Sequence, residues 1–415
     1  MMDTQIDRAR KGRLTPEMEH VAAMEHLDGA TILSRVADGS LVIMTRDGCP
    51  PVAIGKGVST KINVNLGTSS ASIDPKAEIE KVLVAQKYGA DTITDLSMGG
   101  DISNIRRKVF ENTTLPITTV PIYQTIVECG MGSVTGDDVL SYLKQHVREG
   151  MSSVVLHCVG RDMLESLKGS ERIMGMVSKG GSFTSVMMLK NDCENPFIEH
   201  FDEVLDILHT RDVVLSLGNT MRSGCVHDLC DDAQMMEIGA NVELARRANR
   251  AGVQVIIEGM GGHVQARSIP EYMRSYRNRS DFPLFVAGPL PTDIGMGYDH
   301  IAGAVGASMA SGAGADYLCY ITPSEHLALP TPAQVREGLI AFRIAAHIGD
   351  SMKYGADEQD RVLARRRAQF DWQGQMEASI DPDRPQDMCP MTGPCSMCGE
   401  YCAIKIMKDY LAGGV

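Results

Sequence analysis

The sequence predicts an α/β protein built on a (β/α)8 barrel of the TIM type, with an N-terminal domain before it and a cysteine-bearing segment after it. Three observations carry this. From about residue 60, short β-branched runs alternate with helix-patterned stretches. Eight such runs can be counted, the number that a closed barrel needs. The first run leads into Asn65-Leu66-Gly67-Thr68-Ser69, which lacks the glycine spacing of a dinucleotide loop, so a doubly wound sheet is the weaker rival. The expected boundaries are 1–58 for the N-terminal domain, 59–350 for the barrel and 351–415 for the C-terminal segment.

Before the barrel, Ser34–Met44 alternates weakly and predicts a short strand pair turning at Asp38-Gly39. The barrel strands are expected at Lys61–Asn65, Thr92–Leu96, Ile117–Val120, Ser153–His157, Val213–Leu217, Val253–Glu258, Leu284–Ala287 and Tyr317–Ile321. Arg172–Val177 is a weaker ninth candidate because polar loop residues flank it. Apolar residues recur at helical spacing in Pro75–Lys87, Val139–Val147, Phe201–Leu208, Asn241–Ala251 and Val335–His347. Past the barrel, Tyr354–Asp383 is highly charged and reads as a solvated helix face, and Ala403–Leu411 as a short closing helix.

Composition narrows the function classes. The 415 residues include 40 Lys+Arg against 53 Asp+Glu, a net charge of −13 that argues against nucleic-acid or anionic-membrane partners. The most apolar long window, Ile301–Ile321, is rich in Gly, Ala and Ser and carries Asp316, which fits a buried helix followed by a strand better than a membrane span. No apolar run follows Met1-Met2-Asp3-Thr4-Gln5, so a secretory signal is not expected and a cytoplasmic location is. Eleven cysteines, an odd number in a large chain, do not suit a disulfide framework. Eight are scattered and read as small hydrophobes in a reducing compartment.

In a barrel of this type the site lies at the C-terminal ends of the strands. There the sequence places Asn63, Asn65, Asp95, Ser97, Tyr123, His157, Asn219, Arg222, Glu258, His263 and His326. One such residue means little, but polar groups after nearly every strand point to a pocket for a polar small molecule. Ser178-Lys179-Gly180-Gly181-Ser182 offers backbone N–H groups and a cation to a phosphate, with Arg222 as a second contact. His263 and His326 are candidates for one divalent metal, zinc or iron, with positions left open for water or substrate.

The remaining cysteines, Cys395, Cys398 and Cys402, fall within eight residues. Three adjacent thiols favour metal. Zinc prefers four ligands, which Cys389 would complete as a structural ribbon; a stripe on one helix face is a further reading. A [4Fe–4S] cluster on three cysteines leaves one iron open, which is what S-adenosylmethionine radical chemistry requires.

Cys-x2-Cys-x3-Cys at the C-terminus resembles the phosphomethylpyrimidine synthase family of thiamine biosynthesis and its sister group, the 5-hydroxybenzimidazole synthases. The likeness runs almost end to end. It is strongest in Asn63-Val64-Asn65-Leu66-Gly67-Thr68-Ser69, Thr119-Val120-Pro121-Ile122-Tyr123-Gln124, Val177-Ser178-Lys179-Gly180-Gly181-Ser182, Gly297-Tyr298-Asp299-His300 and Thr322-Pro323-Ser324-Glu325-His326-Leu327. The resemblance implies a homodimer in which the cluster segment of one subunit covers the barrel of the other. It implies 5-aminoimidazole ribotide as substrate, S-adenosyl-L-methionine and a [4Fe–4S] cluster as cofactors, and an external electron donor. It assigns ribotide binding to Asn65, Thr94, Tyr123, His157, Ser178, Lys179, Gly180, the stretch Asn219, Thr220, Met221 and Arg222, Glu258 and Phe285, with Glu258 also catalytic. It assigns a mononuclear metal to His263 and His326, and the cluster to Cys395, Cys398 and Cys402.

The departures from the pyrimidine-synthase pattern surround the pocket. Glu258-Gly259-Met260-Gly261-Gly262-His263-Val264-Gln265 has an extra residue before the histidine. Asn219-Thr220-Met221-Arg222-Ser223-Gly224 stands for Asp-Gly-Leu-Arg-Pro-Gly, Phe285 for a tyrosine and Thr94 for a methionine. The expected activity is therefore that of the sister group, a radical carbon–carbon lyase making 5-hydroxybenzimidazole, the lower-ligand base of a cobamide. The thiamine pyrimidine synthase is the alternative, and a non-catalytic zinc-stapled scaffold is the distant one.

Overall fold

The computed structural model describes residues 3–228 and 231–411. The chain divides into two compact units between Lys353 and Tyr354. The first opens with three short helices, Gln5–Arg10, Pro16–Met24 and Gly29–Asp38, and an antiparallel pair, β1 (Leu41–Met44) and β2 (Val52–Gly55). Eight parallel strands follow: β3 (Lys61–Leu66), β4 (Thr92–Asp95), β5 (Ile117–Thr119), β6 (Ser153–Leu156), β7 (Val214–Leu217), β8 (Val255–Glu258), β9 (Leu284–Ala287) and β10 (Tyr317–Cys319). They close in the order β10-β3-β4-β5-β6-β7-β8-β9, the expected (β/α)8 barrel.

The predicted strands each lie within a residue or two of the observed ones; Pro75–Lys87 and Ala403–Leu411 are helices with the expected bounds, and the other predicted helices lengthen. Asn241–Ala251 is the second half of Asp232–Arg250, and Val335–His347 the centre of Pro332–Tyr354. Ile301–Ile321 contains most of the helix Asp299–Gly312 and then β10, as expected. Two expectations fail. Ser34–Asp38 is the end of a helix, because Asp28 caps its start by accepting from the Thr31 N–H at 2.9 Å and Ile32 and Val36 bury one face four residues apart. Gly39 closes that helix in the left-handed region (φ 85°), so the strand pair forms later, between β1 and β2. Arg172–Val177 is not a strand: Asp228 accepts from the N–H groups of Ile173 and Met174, which removes them from any ladder.

β1 and β2 pack Val42, Met44 and Ile54 against Val214, Ile256 and Tyr317, residues at or near the N-terminal ends of their strands, and so seal that end of the barrel. Burying these side chains contributes roughly 1.5–3 kcal/mol each. The interior above is unusually polar. Asn63 Oδ1 accepts from Thr92 Oγ1 (3.0 Å), Thr94 Oγ1 (2.8 Å) and Tyr317 Oη (3.3 Å), so one buried amide on β3 satisfies hydroxyls from both neighbouring strands, β4 and β10. A barrel that already spends its hydrogen-bonding groups on one another can carry polar residues to its open end at little cost.

In the second unit, the helix Glu358–Ala368 buries no side chain, matching its reading as a solvated face. Trp372 begins the helix Trp372–Ala378 and donates its indole N–H to the Gly393 carbonyl at 2.9 Å, which ties the cysteine-bearing loop to this unit's own helices. Among the described residues, no helix is long and apolar enough to cross a membrane.

Candidate active site

Polar side chains gather at the C-terminal mouth of the barrel, each fixed by the strand or loop that ends there. Asn65 accepts from Asn63 Nδ2 at 2.7 Å, donates to Cys319 Sγ at 3.0 Å, and its carbonyl accepts from Tyr320 Oη at 3.0 Å. It is therefore rigidly set between β3 and the end of β10. His157, after β6, is packed between Gly180 and Gly218; an added Cβ would come to 2.3 Å of its ring at the first and 2.8 Å at the second. Burial, and then the nearby Arg222, push its imidazole down to about 3, so it is neutral at physiological pH. Its Nδ1 is buried and has no partner.

Ser178 caps the helix Lys179–Asn191, its Oγ accepting from the Gly181 N–H at 3.2 Å. The helix thus presents its first-turn N–H groups beside Lys179, whose pKa is lowered by burial and by Arg222. The Lys179 ammonium lies 5.5 Å from the Tyr123 ring centroid, and Phe183 meets the same ring edge-on at 5.8 Å. Burial pushes the Tyr123 phenol up to about 12, so it stays a neutral donor.

The loop Asn219–Arg222 is held from beneath. The buried Glu237, on Asp232–Arg250, accepts from the N–H of Thr220 (2.6 Å) and of Met221 (2.8 Å). Arg172 donates to the carbonyls of Met221 (2.7 Å) and Arg222 (3.4 Å) and pairs with Asp231. These contacts leave Asn219 Oδ1 buried without a partner among the described residues. Among the described residues the Arg222 guanidinium makes long contacts, 3.5 Å to the carbonyls of Asn219 and Val177. Its charge nonetheless bears on the titration of Tyr123, His157, Lys179 and Glu258, which places it electrostatically at the centre of the group.

Glu258 ends β8 and accepts from Ser216 Oγ at 2.8 Å. Burial pushes its carboxyl up to about 7, against the opposing pull of Ser216 and Arg222. A group poised there can hold or release a proton near neutrality.

Not every expected contact residue opens onto the mouth. Met221 is fully buried in the main core, so only its backbone borders the loop. Phe285, by contrast, is partly exposed: it stacks on Tyr317 (centroids 4.1 Å apart) inside the barrel and lies level with Glu258 across the β8–β9 register. Thr94 is buried with its hydroxyl donated to Asn63.

His263 and His326, on different βα loops, come together with ring centroids 5.1 Å apart. His263 Nδ1 lies 2.6 Å from Asp293 Oδ1, and His326 Nδ1 lies 3.5 Å from Asp299 Oδ2. The donor chemistry fits a metal, since both rings keep Nε2 without a protein partner among the described residues. Among those residues no three His, Cys, Asp or Glu side chains converge as a complete ligand set, so a metal held here would draw only these two ring nitrogens from the described residues.

Cys395 and Cys402 flank the exposed Cys398, and none of the three is in a disulfide. Gly399 N–H donates to the Cys395 carbonyl at 3.0 Å, and Gly399 has φ 53°. A 3-10 turn, Gly399–Tyr401, intervenes before the helix Ala403–Leu411 begins. The helical-stripe reading therefore fails, because the three thiols lie on a turn and not on one helix face. A loop with three free thiols suits a cluster that draws its ligands together on binding.

Sequence reasoning missed Glu237, Arg172, Asp293, Asp299 and Glu325. Glu325 is a carboxyl raised by burial, with His326 and Asp299 beside it. Glu237 and Arg172 carried no signal, being single charges in a helix and a loop. Asp299 sits within a matched stretch, but both aspartates have partners remote in sequence.

The model of the Radical SAM ThiC family matches residues 4–409. A phosphomethylpyrimidine synthase of Dehalococcoides mccartyi is 45% identical, with 99% of each chain covered. Proteins of the same name from Thermoanaerobacter sp. (43% identical, 98% of each chain) and Geobacter metallireducens (42% identical, 99% of this chain and 98% of that one) are similar to it throughout. A radical SAM family implies a [4Fe–4S] cluster and S-adenosylmethionine as cofactors. The chain belongs to the radical SAM ThiC family.

Proposed function

We propose that this enzyme rearranges 5-aminoimidazole ribotide by radical chemistry to the hydroxymethylpyrimidine phosphate implied by the name of its relatives. The observation that carries the reading is the cradle at the barrel mouth. His157 Nδ1 and Asn219 Oδ1 are buried and unpartnered there among the described residues, beside two cations, Lys179 and Arg222. Buried polar atoms left unpaired cost about 1–3 kcal/mol each, a cost that a polar ligand removes.

In this reading the N–H groups that follow Ser178, with Lys179 and Arg222, hold the ribotide phosphate by charge-assisted hydrogen bonds. Asn65, Asn219 and neutral His157 hold the ribose and base, and Tyr123 supplies a ring face and a phenolic donor. Glu258 faces the aminoimidazole and takes or returns a proton near pH 7. Cys395, Cys398 and Cys402 hold the [4Fe–4S] cluster, which with S-adenosylmethionine and an external electron donor supplies the 5′-deoxyadenosyl radical. His263 and His326 hold the mononuclear divalent metal, zinc or iron. The enzyme works as a homodimer, in keeping with the exposed apolar side chains Ile301, Val305, Ile344 and Ile348 on two barrel helices.

A second reading, 5-hydroxybenzimidazole synthesis, is favoured by the pocket's departures. The loop before His263 runs through two left-handed positions, Met260 (φ 55°) and Gly262 (φ 89°), in the stretch that carries the extra residue. Thr94 and Phe285 are committed to Asn63 and Tyr317. One assay separates the readings: anaerobic incubation of reduced protein with S-adenosylmethionine and the ribotide. Hydroxymethylpyrimidine phosphate as main product supports the first. Fluorescent, phosphate-free 5-hydroxybenzimidazole supports the second. A colourless zinc protein with no product would sink both.

A further inference from the structure

We propose that Asp293 and Asp299 are positioning residues that hold His263 and His326 in the metal-binding tautomer. The inference rests on the proposed reading of the two histidines as metal ligands. A neutral imidazole carries one N–H, and a metal takes the bare nitrogen. A carboxylate at Nδ1 fixes the proton there and leaves Nε2 bare, while raising the basicity of the ring. His263 has this arrangement at hydrogen-bond distance, and His326 has a carboxylate standing farther off, each carboxylate coming from a different part of the chain. Asp293 lies in the stretch after β9, 2.6 Å from His263 Nδ1. Asp299 begins the helix Asp299–Gly312, is buried, and lies 3.5 Å from His326 Nδ1.

The placement of Asp293 adds a second role. Its other oxygen accepts from the Val226 N–H at 2.9 Å, so it spans from His263 to the loop that descends from Arg222. The backbone reinforces this: His263 N–H donates to the Ser223 carbonyl at 3.2 Å, and Ser223 Oγ donates to the His263 carbonyl. The histidine and the Asn219–Arg222 loop are thus bound at two points. His326 stands at φ 61°, a conformation costly for a residue with a side chain and retained where the surroundings impose it.

The test measures zinc affinity on the full-length, cluster-loaded protein, equilibrated in zinc buffers and assayed for bound zinc, with thermal midpoints recorded alongside. Asp293→Asn keeps an acceptor for Val226 but turns an amide nitrogen toward His263 Nδ1, which reverses the tautomer. Its zinc affinity is expected to fall by about 10–100-fold with the midpoint little changed. Asp299→Asn is expected to lose less, because its contact is longer. Asp293→Glu, which restores a carboxylate, should recover part of the loss. His263→Ala and His326→Ala are the controls. If they lose zinc while both Asn variants bind it as the wild type does, the positioning role is overturned and the metal reading stands. If the His variants also bind zinc normally, the metal reading itself fails.

Discussion

The barrel mouth and the cysteine loop are two ways of building a reactive site. At the mouth, functional side chains rest on partners that are themselves buried: Asn65 on Asn63, Glu258 on Ser216, the Asn219–Arg222 loop on Glu237 and Arg172. The cysteine loop has little such support. Cys398 is exposed, Gly399 and Met391 adopt positive φ, and one indole hydrogen bond from Trp372 secures the approach. A site that must bind and discriminate a small polar substrate gains from groups fixed before it arrives. A loop whose ligands wrap a cluster gains its order from the cluster's own bonds. The comparison predicts that damage to the loop is local and total, whereas damage beneath the mouth is graded.

The largest effect tests the first half. Cys395→Ala, Cys398→Ala and Cys402→Ala are each expected to abolish cluster assembly and reduce turnover to background. The barrel's thermal midpoint should stay within about a degree or two, since none of these residues lies in its core. Iron and sulfide content, product formation and calorimetry check this together. Retained S-adenosylmethionine cleavage in any of the three would count against the assignment.

Glu237→Gln tests the second half. The amide can accept from only one of the two N–H groups that the carboxylate satisfies, leaving a buried donor unpaired. The expected cost is about 1–3 kcal/mol of stability. Ribotide affinity, measured by calorimetry on the same variant, is expected to fall roughly 10-fold as the loop that carries Arg222 loosens. An unchanged affinity would mean that the loop is rigid without its carboxylate.

The same carboxyl, with Glu258, sets a pH dependence. Burial pushes both up to about 7 from an ordinary value of 4.5. An acid whose pKa is raised on folding stabilises the fold below its unfolded value, and that contribution is lost as pH rises through its folded one. The protein's thermal midpoint should therefore decline between about pH 4.5 and 7, with at most about 3 kcal/mol arising from each group. Glu258→Gln should flatten part of that decline and remove the ionisation near pH 7 from the activity profile. A midpoint flat across this range in the unaltered protein would show that neither carboxyl is raised.

How much of this was legible in the sequence follows the same division. Barrel strands announce themselves as β-branched runs, and polar residues at their ends stand out because loops rarely need Asn65, His157 or Glu258 merely to turn. The three cysteines fall within eight residues, so spacing alone reveals them. What escaped was support from a distance. Glu237 lies sixteen or more residues from the N–H groups it satisfies, and Asp293 lies thirty from His263. No periodicity encodes such pairs; only closure of the barrel brings them together. The early helix was misread because Ile32, Ser34 and Val36 fit both a two-residue and a helical period over so short a stretch. Met221 was placed at the substrate through resemblance, whereas local packing directs its side chain into the core.

The smallest expected effect sharpens the boundary of the cysteine site. Cys389 stands six residues before Cys395 and is half-buried, with its N–H donated to the Pro385 carbonyl at 2.9 Å. A structural zinc ribbon would need it as a fourth ligand, and its loss would then empty the site. A [4Fe–4S] cluster that keeps one iron open for S-adenosylmethionine needs only three thiolates. Cys389→Ala is therefore expected to leave iron content and cofactor cleavage within about twofold of the parent, and to cost no more than about 0.5 kcal/mol of stability, as for a typical substitution outside the core. Should the variant lose its metal as completely as Cys398→Ala does, the loop would be a four-cysteine site. The open iron, and with it the radical chemistry assigned to this segment, would have to be abandoned.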